Sequence, residues 1–169
     1  TNFVSNQSKA DLCLKNINYN KNEYRYGNGK GKIIDFLIIS DRKINSYKLF
    51  SGSEIQIMIK FFFNETIELP VYGFTLKTVD GVEIFGSNSL IEELVVKQKQ
   101  KNEFSIVKYI FPLNLKSGDY FISLGLAESY NGNIEALDRR YDLIHLKVSN
   151  SNSRYGIIDI DFHIEELAL

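Results

Sequence analysis

The sequence has one cysteine, two prolines, no tryptophan and no surplus of charge. With Cys13 alone, no internal disulfide can form and a cysteine/histidine zinc cluster is excluded. A lone cysteine also suits a reducing compartment. Twenty lysines and arginines stand against twenty-one acids, a net charge of −1. Nothing in that balance calls for nucleic acid or an anionic membrane as partner. No apolar stretch reaches the roughly 18 residues of a membrane span. The longest candidate, Ile33 to Ile39, is broken by Asp35. No basic-then-apolar leader opens the chain, and the first residues, "TNFVSNQSKADLCLKN", read as a linker. The expectation is an excised or processed domain, with residues 1–22 linker-like and 23–169 folded.

What is present is ordinary in amount and particular in pattern. The 169 residues are enough for one domain with a real core. Aromatics make up 13 %, and with frequent isoleucine and valine they favour strands. Period-two alternation dominates, the mark of strands buried on one face. In "EIQIMIKFFF", Ile55, Ile57, Ile59, Phe61 and Phe63 point one way and Gln56, Met58, Lys60 and Phe62 the other. In "DYFISLGLA", Tyr120, Ile122, Leu124 and Leu126 oppose Phe121, Ser123, Gly125 and Ala127. In "YDLIHLKV", Ile144, Leu146 and Val148 oppose Tyr141, Leu143, His145 and Lys147. Further strands are predicted over Lys32–Ser40, Asn45–Phe50, Val71–Thr78, Glu103–Phe111 and Gly156–Ile164. Turn residues such as Ser51-Gly52, Asp80-Gly81 and Asn131-Gly132 separate them. Ser89 to Lys101 reads as a long solvated loop. The fold class that follows is all-β, an antiparallel sandwich of about eight strands. Tyr120, after Gly118-Asp119, stands where a sandwich places its corner tyrosine.

Several routes to chemistry close. "RYGNGKGKI" puts Gly27, Gly29 and Gly31 among lysines, yet a phosphate loop fails: five residues after Gly27 stands Lys32, and no hydroxyl follows either Gly-Lys pair. The dinucleotide spacing also fails, at Lys32 and at Ile34. A tight turn or bulge leading into the next strand accounts for these glycines. His145 and His163 have no serine or cysteine nucleophile in an elbow beside them. Glu92-Glu93, Asp159/Asp161 and Glu165-Glu166 are carboxylate pairs on solvated faces, with nothing to set two of them across a glycosidic bond. "SYNGNIEALD" lacks the rhythm of a calcium loop. No metal and no cofactor are expected.

Outward aromatics beside small outward residues are what remains. Phe62, Phe121 and Tyr141, with Gly73, Ser123, Gly125 and Ala127, would form an aromatic rim around a shallow floor. Such a platform suits the apolar faces of sugar rings, with polar donors beside them. The candidate carbohydrate-binding set is Lys60, Phe62, Phe121, Ser123, Tyr141 and His145. The same aromatics would also serve a structural or protein-binding sandwich, and a glycan-active enzyme is a third alternative.

Four segments then come in a familiar order: "RYGNGKGKI", "LPVYGFTLKTVDGVEIFGSNS", "LNLKSGDYFISLGLAE" and "LDRRYDLIHLKV". Together they resemble the carbohydrate-binding C-terminal domain of the ATP-binding subunit of O-antigen ABC transporters, the Wzt type. The likeness covers Glu23 to Leu167; Tyr26 departs from it where tryptophan is common, and Glu92–Lys101 is longer and more charged. The resemblance implies an immunoglobulin-like β-sandwich without catalysis of its own, in the cytoplasm of a Gram-negative bacterium. It would be tethered to the transporter's ATPase and membrane subunits at the inner membrane. There it would recognise the non-reducing end of the O-polysaccharide. A homodimer made by exchanging the C-terminal strand, here "GIIDIDFHIEEL", is also implied.

Overall fold

The computed structural model describes residues 2–152 and 154–166, so the far end of the segment that begins at Gly156 lies outside the described residues. Among the described residues ten strands form two sheets. The first sheet has the order β1 (Tyr24–Tyr26), β10 (Asn133–Ser149), β9 (Gly118–Tyr130), β6 (Pro70–Thr78), β7 (Glu83–Asn88), with β4 (Lys48–Phe50) pairing β10 in parallel. The second has the order β3 (Lys43–Ile44), β2 (Gly31–Ser40), β5 (Glu54–Phe63), β8 (Phe104–Pro112). The remaining pairings are antiparallel. The architecture is therefore the antiparallel β-sandwich that alternation predicts.

Alternation locates the core as well. Ile55, Ile57, Ile59 and Phe61 of β5 face Ile122, Leu124 and Leu126 of β9 across the sandwich, all buried. Tyr120 buries its ring and donates its hydroxyl to the Lys116 carbonyl at 2.9 Å, the geometry of a corner tyrosine. Of the predicted strand over Asn45–Phe50 only Lys48–Phe50 forms, because Asn45 adopts φ +49° and turns the chain. The glycines of "RYGNGKGKI" serve backbone packing. At Gly27, φ is +152° and a Cβ would stand 2.3 Å from the Leu137 carbonyl oxygen, so no other residue fits. A Cβ on Gly31 would stand 2.6 Å from a methyl of Leu126.

Two regions differ from expectation. The segment before Glu23, read as linker-like, lies against the sandwich. Its Leu12 N–H donates to the Ile34 carbonyl at 2.7 Å, Tyr19 bridges Ile144, and Asn20 N–H donates to the Leu143 carbonyl at 3.0 Å. It thus closes the seam between β2 and β10. A buried ionic cluster fastens it there. Arg140 is buried and binds the Glu23 carboxylate with both arms of its fork, Asp11 at 2.9 Å and the Ile33 carbonyl at 3.0 Å. Cys13 lies 3.2 Å from the same guanidinium, and burial pushes its thiol pKa up.

The second difference is a correction. The described part of Gly156–Ile164 forms no strand; it makes one bridge, Leu115 to Ile158, and leaves Ile157, Ile160, Phe162 and Ile164 exposed. Alternation is present there, but a strand also needs a neighbour for its N–H and C=O groups, and among the described residues only two such backbone bonds form, from the Lys116 N–H to the Ile157 carbonyl and from the Asp159 N–H to the Asn114 carbonyl, each at 2.9 Å.

Candidate functional site

The first sheet has an outer face floored by small residues. Gly73 on β6 pairs with Gly125 on β9, and Gly125 pairs in turn with Arg139 on β10. With no side chain at either glycine the sheet is recessed here, and Ser123 and Ala127 continue the shallow floor. A Cβ on Gly125 would come within 3.0 Å of the Arg139 guanidinium, so Arg139 lies flat across the strand.

One wall is built by a β-bulge. The β9–β10 register shifts between Arg140 and Ile144, and Asp142 takes φ +59°, a conformation that aspartate tolerates. Ser123 holds the bulge: its Oγ accepts the Asp142 N–H at 2.9 Å and donates back to the carboxylate at 3.3 Å. Lys77 Nζ adds an ion pair to Asp142 at 2.8 Å. Tyr141 is thereby stood on the outer face, stacked with Tyr24 and Tyr26 at centroid distances of 6.2 and 6.1 Å. The Arg139 guanidinium beside Tyr141, together with the Tyr26 hydroxyl, holds the Tyr141 phenol below its usual range.

The opposite wall is aliphatic. After β7, Asn88 Oδ1 accepts the N–H groups of Leu90 and Ile91 at 2.9 and 3.0 Å, fixing both side chains at the rim. The open cleft between these walls measures about 590 Å³. Floor, aromatic wall, aliphatic wall and two cations make a surface for stacking and hydrogen bonding.

Of the six residues expected from alternation, Ser123 and Tyr141 meet in this cleft. Phe121 and His145 share the face but lie further along β9 and β10, as a cross-strand pair with rings 5.4 Å apart. His145 Nε2 is 2.7 Å from Asp119. Lys60 and Phe62 lie on the other sheet, whose outer face points away from the cleft. There Lys60 Nζ donates to the carbonyls of Phe3 and, at 2.8 Å, Asn6, and burial pulls its pKa down. Phe62 is 3 % exposed, packed on Phe104 with Lys9 above its ring. Both are covered by the N-terminal segment.

Alternation missed Tyr24, Tyr26, Lys77, Arg139 and Asp142. The available signal was "YRY", whose period-two pattern is masked by the glycines that follow it. Among the described residues no group of three or more histidine, cysteine or acidic side chains is placed to hold a metal. No helix among them is long and apolar enough to cross a membrane.

Comparison with known proteins gives one family. The family described as the Wzt C-terminal domain matches residues 22–160. Among solved structures, the C-terminal domain of Wzt is 29 % identical, with 95 % of this chain and 98 % of that chain covered and a TM-score of 0.88. A Niemann-Pick type C2 protein from the Japanese carpenter ant is 15 % identical over 74 % of this chain and 98 % of that one, at a TM-score of 0.49. No curated protein matches.

Proposed function

The chain belongs to the Wzt C-terminal domain family, and from that premise we propose that its cleft recognises the non-reducing end of an O-antigen polysaccharide and so licenses export. Membership supports a role in carbohydrate binding and export in general. The observation that carries the finer reading is the recessed floor of Gly73, Ser123 and Gly125 beside stacked Tyr24, Tyr26 and Tyr141. A sugar ring laid on that floor meets an aromatic edge, while Arg139 and Lys77 can donate to its oxygens. The aliphatic wall at Leu90 and Ile91 closes one end, which suits a chain terminus better than a chain passing through.

The reading is of binding without turnover. The Asp142 carboxylate is committed to Lys77 and Ser123, where it holds the bulge. The domain would act as an appendage of the ATP-binding subunit of an ABC transporter, on the cytoplasmic side of the inner membrane.

A homodimer belongs to the same proposal. Among the described residues β8 pairs only with β5, and Val107, Tyr109 and Phe111 on its core-facing side are only partly buried. The Tyr109 hydroxyl is buried with no hydrogen-bond partner there, and its pKa is pushed up by burial. An open edge and an isoleucine-rich segment that, among the described residues, is bridged only at Ile158 would satisfy each other if two copies exchange residues from Gly156 onward. Sedimentation of a chain ending at Tyr155 should show monomer or insoluble protein; a well-behaved dimer would reject the exchange.

The direct test is calorimetric titration with lipid-free polysaccharide from the source strain. End recognition predicts one polymer bound per cleft, and loss of binding when an exoglycosidase removes the terminal residue. Several clefts filled per polymer, unaffected by that trimming, would contradict it.

A further inference from the structure

A second groove, of about 380 Å³, lies on the other side of β1 from the cleft. Tyr26 stands between them: it lines the groove, and its ring stacks on Tyr141, which lines the cleft. The rest of the groove is the glycine turn, Gly27 and Gly29, with Arg25 at its base and Lys9 and Lys32 at its rim. These are the glycines and one of the lysines whose spacing excludes a phosphate loop.

The charges at the base are already spent on one another. Asp138 accepts from Arg25 Nε at 2.8 Å, from Arg25 Nη2 at 2.7 Å and from the Ile33 N–H at 2.7 Å. Asp11 accepts from Arg25 Nη1 at 2.6 Å, Arg140 Nη1 at 2.9 Å and the Cys13 N–H at 3.1 Å. Base and position are therefore fixed, and neither carboxylate is left to neutralise a rim lysine. Among the described residues Lys32 makes no hydrogen bond or ion pair, whereas Lys9 Nζ bonds the neutral Asn102 side chain at 3.0 Å and lies 4.8 Å from the Phe62 ring centroid. An ammonium carries three donors, so the free donors of the rim are chiefly those of Lys32. At Gly29 a Cβ would meet only the Lys32 side chain, at 3.9 Å, so the groove is open there, while the Gly29 N–H donates to the Leu137 carbonyl at 2.9 Å and its carbonyl accepts from the Asn64 amide at 2.7 Å.

Given the cleft's reading as a glycan-end site, on which this inference rests, the bound polymer must leave the cleft somewhere. One end is closed by Leu90 and Ile91; the other passes over Tyr26 into a groove rich in free donors. We propose that this groove is a second subsite, holding a hydroxyl-bearing internal sugar residue of the same chain whose end occupies the cleft. Tyr26 would be the aromatic step between the two. The two subsites together would fix the direction in which the polymer leaves the domain, which a single-residue cleft cannot do.

The test uses terminal mono-, di- and tetrasaccharides cut from the polysaccharide of the source strain, titrated calorimetrically into the whole chain. Wild type should gain about tenfold in affinity from monosaccharide to tetrasaccharide. The double variant Lys9→Ala/Lys32→Ala should lose that gain while keeping monosaccharide affinity within about twofold, and Lys32→Ala alone, which breaks no hydrogen bond or ion pair among the described residues, should lose part of it with an unchanged thermal melt. Tyr141→Ala should weaken every length alike. A length-dependent gain that survives in the double variant, or no gain in wild type, overturns the subsite and leaves the cleft standing. If no fragment of any length binds wild type, the cleft reading falls and takes the subsite with it.

Discussion

The two outer faces of the sandwich began from the same sequence logic and ended in opposite states. On the β6–β9–β10 side, small residues at Gly73, Ser123 and Gly125 leave a recess, and a bulge stands Tyr141 at its edge. On the β2–β5 side, Lys60 and Phe62, which alternation points outward, are buried, because residues before Glu23 lie over them. An outward position becomes a binding surface only if nothing in the chain covers it. The covering segment, tied down through Arg140, therefore decides which face is available.

The severest way to break this comparison is to release the cover. Arg140→Ala strands the carboxylates of Glu23 and Asp11 in a buried cluster. Removing one partner of such a pair should cost about 3–5 kcal/mol, read as a lower urea midpoint with the slope checked for loosened structure. Next, Phe62→Ala should cost about 3 kcal/mol as a buried aromatic, yet leave glycan affinity unchanged in calorimetry. If that variant loses binding while its melt is unchanged, the covered face is the functional one.

Tyr141→Ala should show the reverse. Its ring lies among exposed Tyr24 and Tyr26, so the melt should move little. Polysaccharide affinity should fall about tenfold, roughly 1.4 kcal/mol. His145→Ala should do least. Its pair with Asp119 is solvent-exposed and worth less than about 0.5 kcal/mol, and the ring lies outside the cleft, so both readouts should stay at wild-type values.

Much of the frame was legible because burial repeats every second residue along each long strand. Ile57, Ile59 and Phe61, like Ile122 and Leu126, are fully buried as alternation requires. Tyr120 was legible from its place after Gly118-Asp119. The candidate cleft was half legible as a surface: the small floor and the outward Tyr141 follow from parity, since the bulge at Asp142 leaves Tyr141 and His145 on the outer face. Tyr24 and Tyr26 were not, because β1 is three residues long and exists only through pairing with Arg139–Tyr141, over a hundred positions away. Lys60 and Phe62 misled for a related reason. Alternation reports which way a side chain points and is silent on what a distant, polar, asparagine-rich segment will lie against. At Gly156–Ile164 the pattern describes a strand, and among the described residues only the bridge from Leu115 to Ile158 pairs it.

Chemical-shift mapping of the isotope-labelled chain, recorded by NMR with and without lipid-free polysaccharide, tests the central claim most directly. The account predicts perturbations at Gly73, Ser123, Gly125, Arg139 and Tyr141, spreading over Tyr24 and Tyr26, while Met58, Lys60 and Lys108 on the opposite face stay in place. Perturbations confined to β2, β5 and β8 would contradict it.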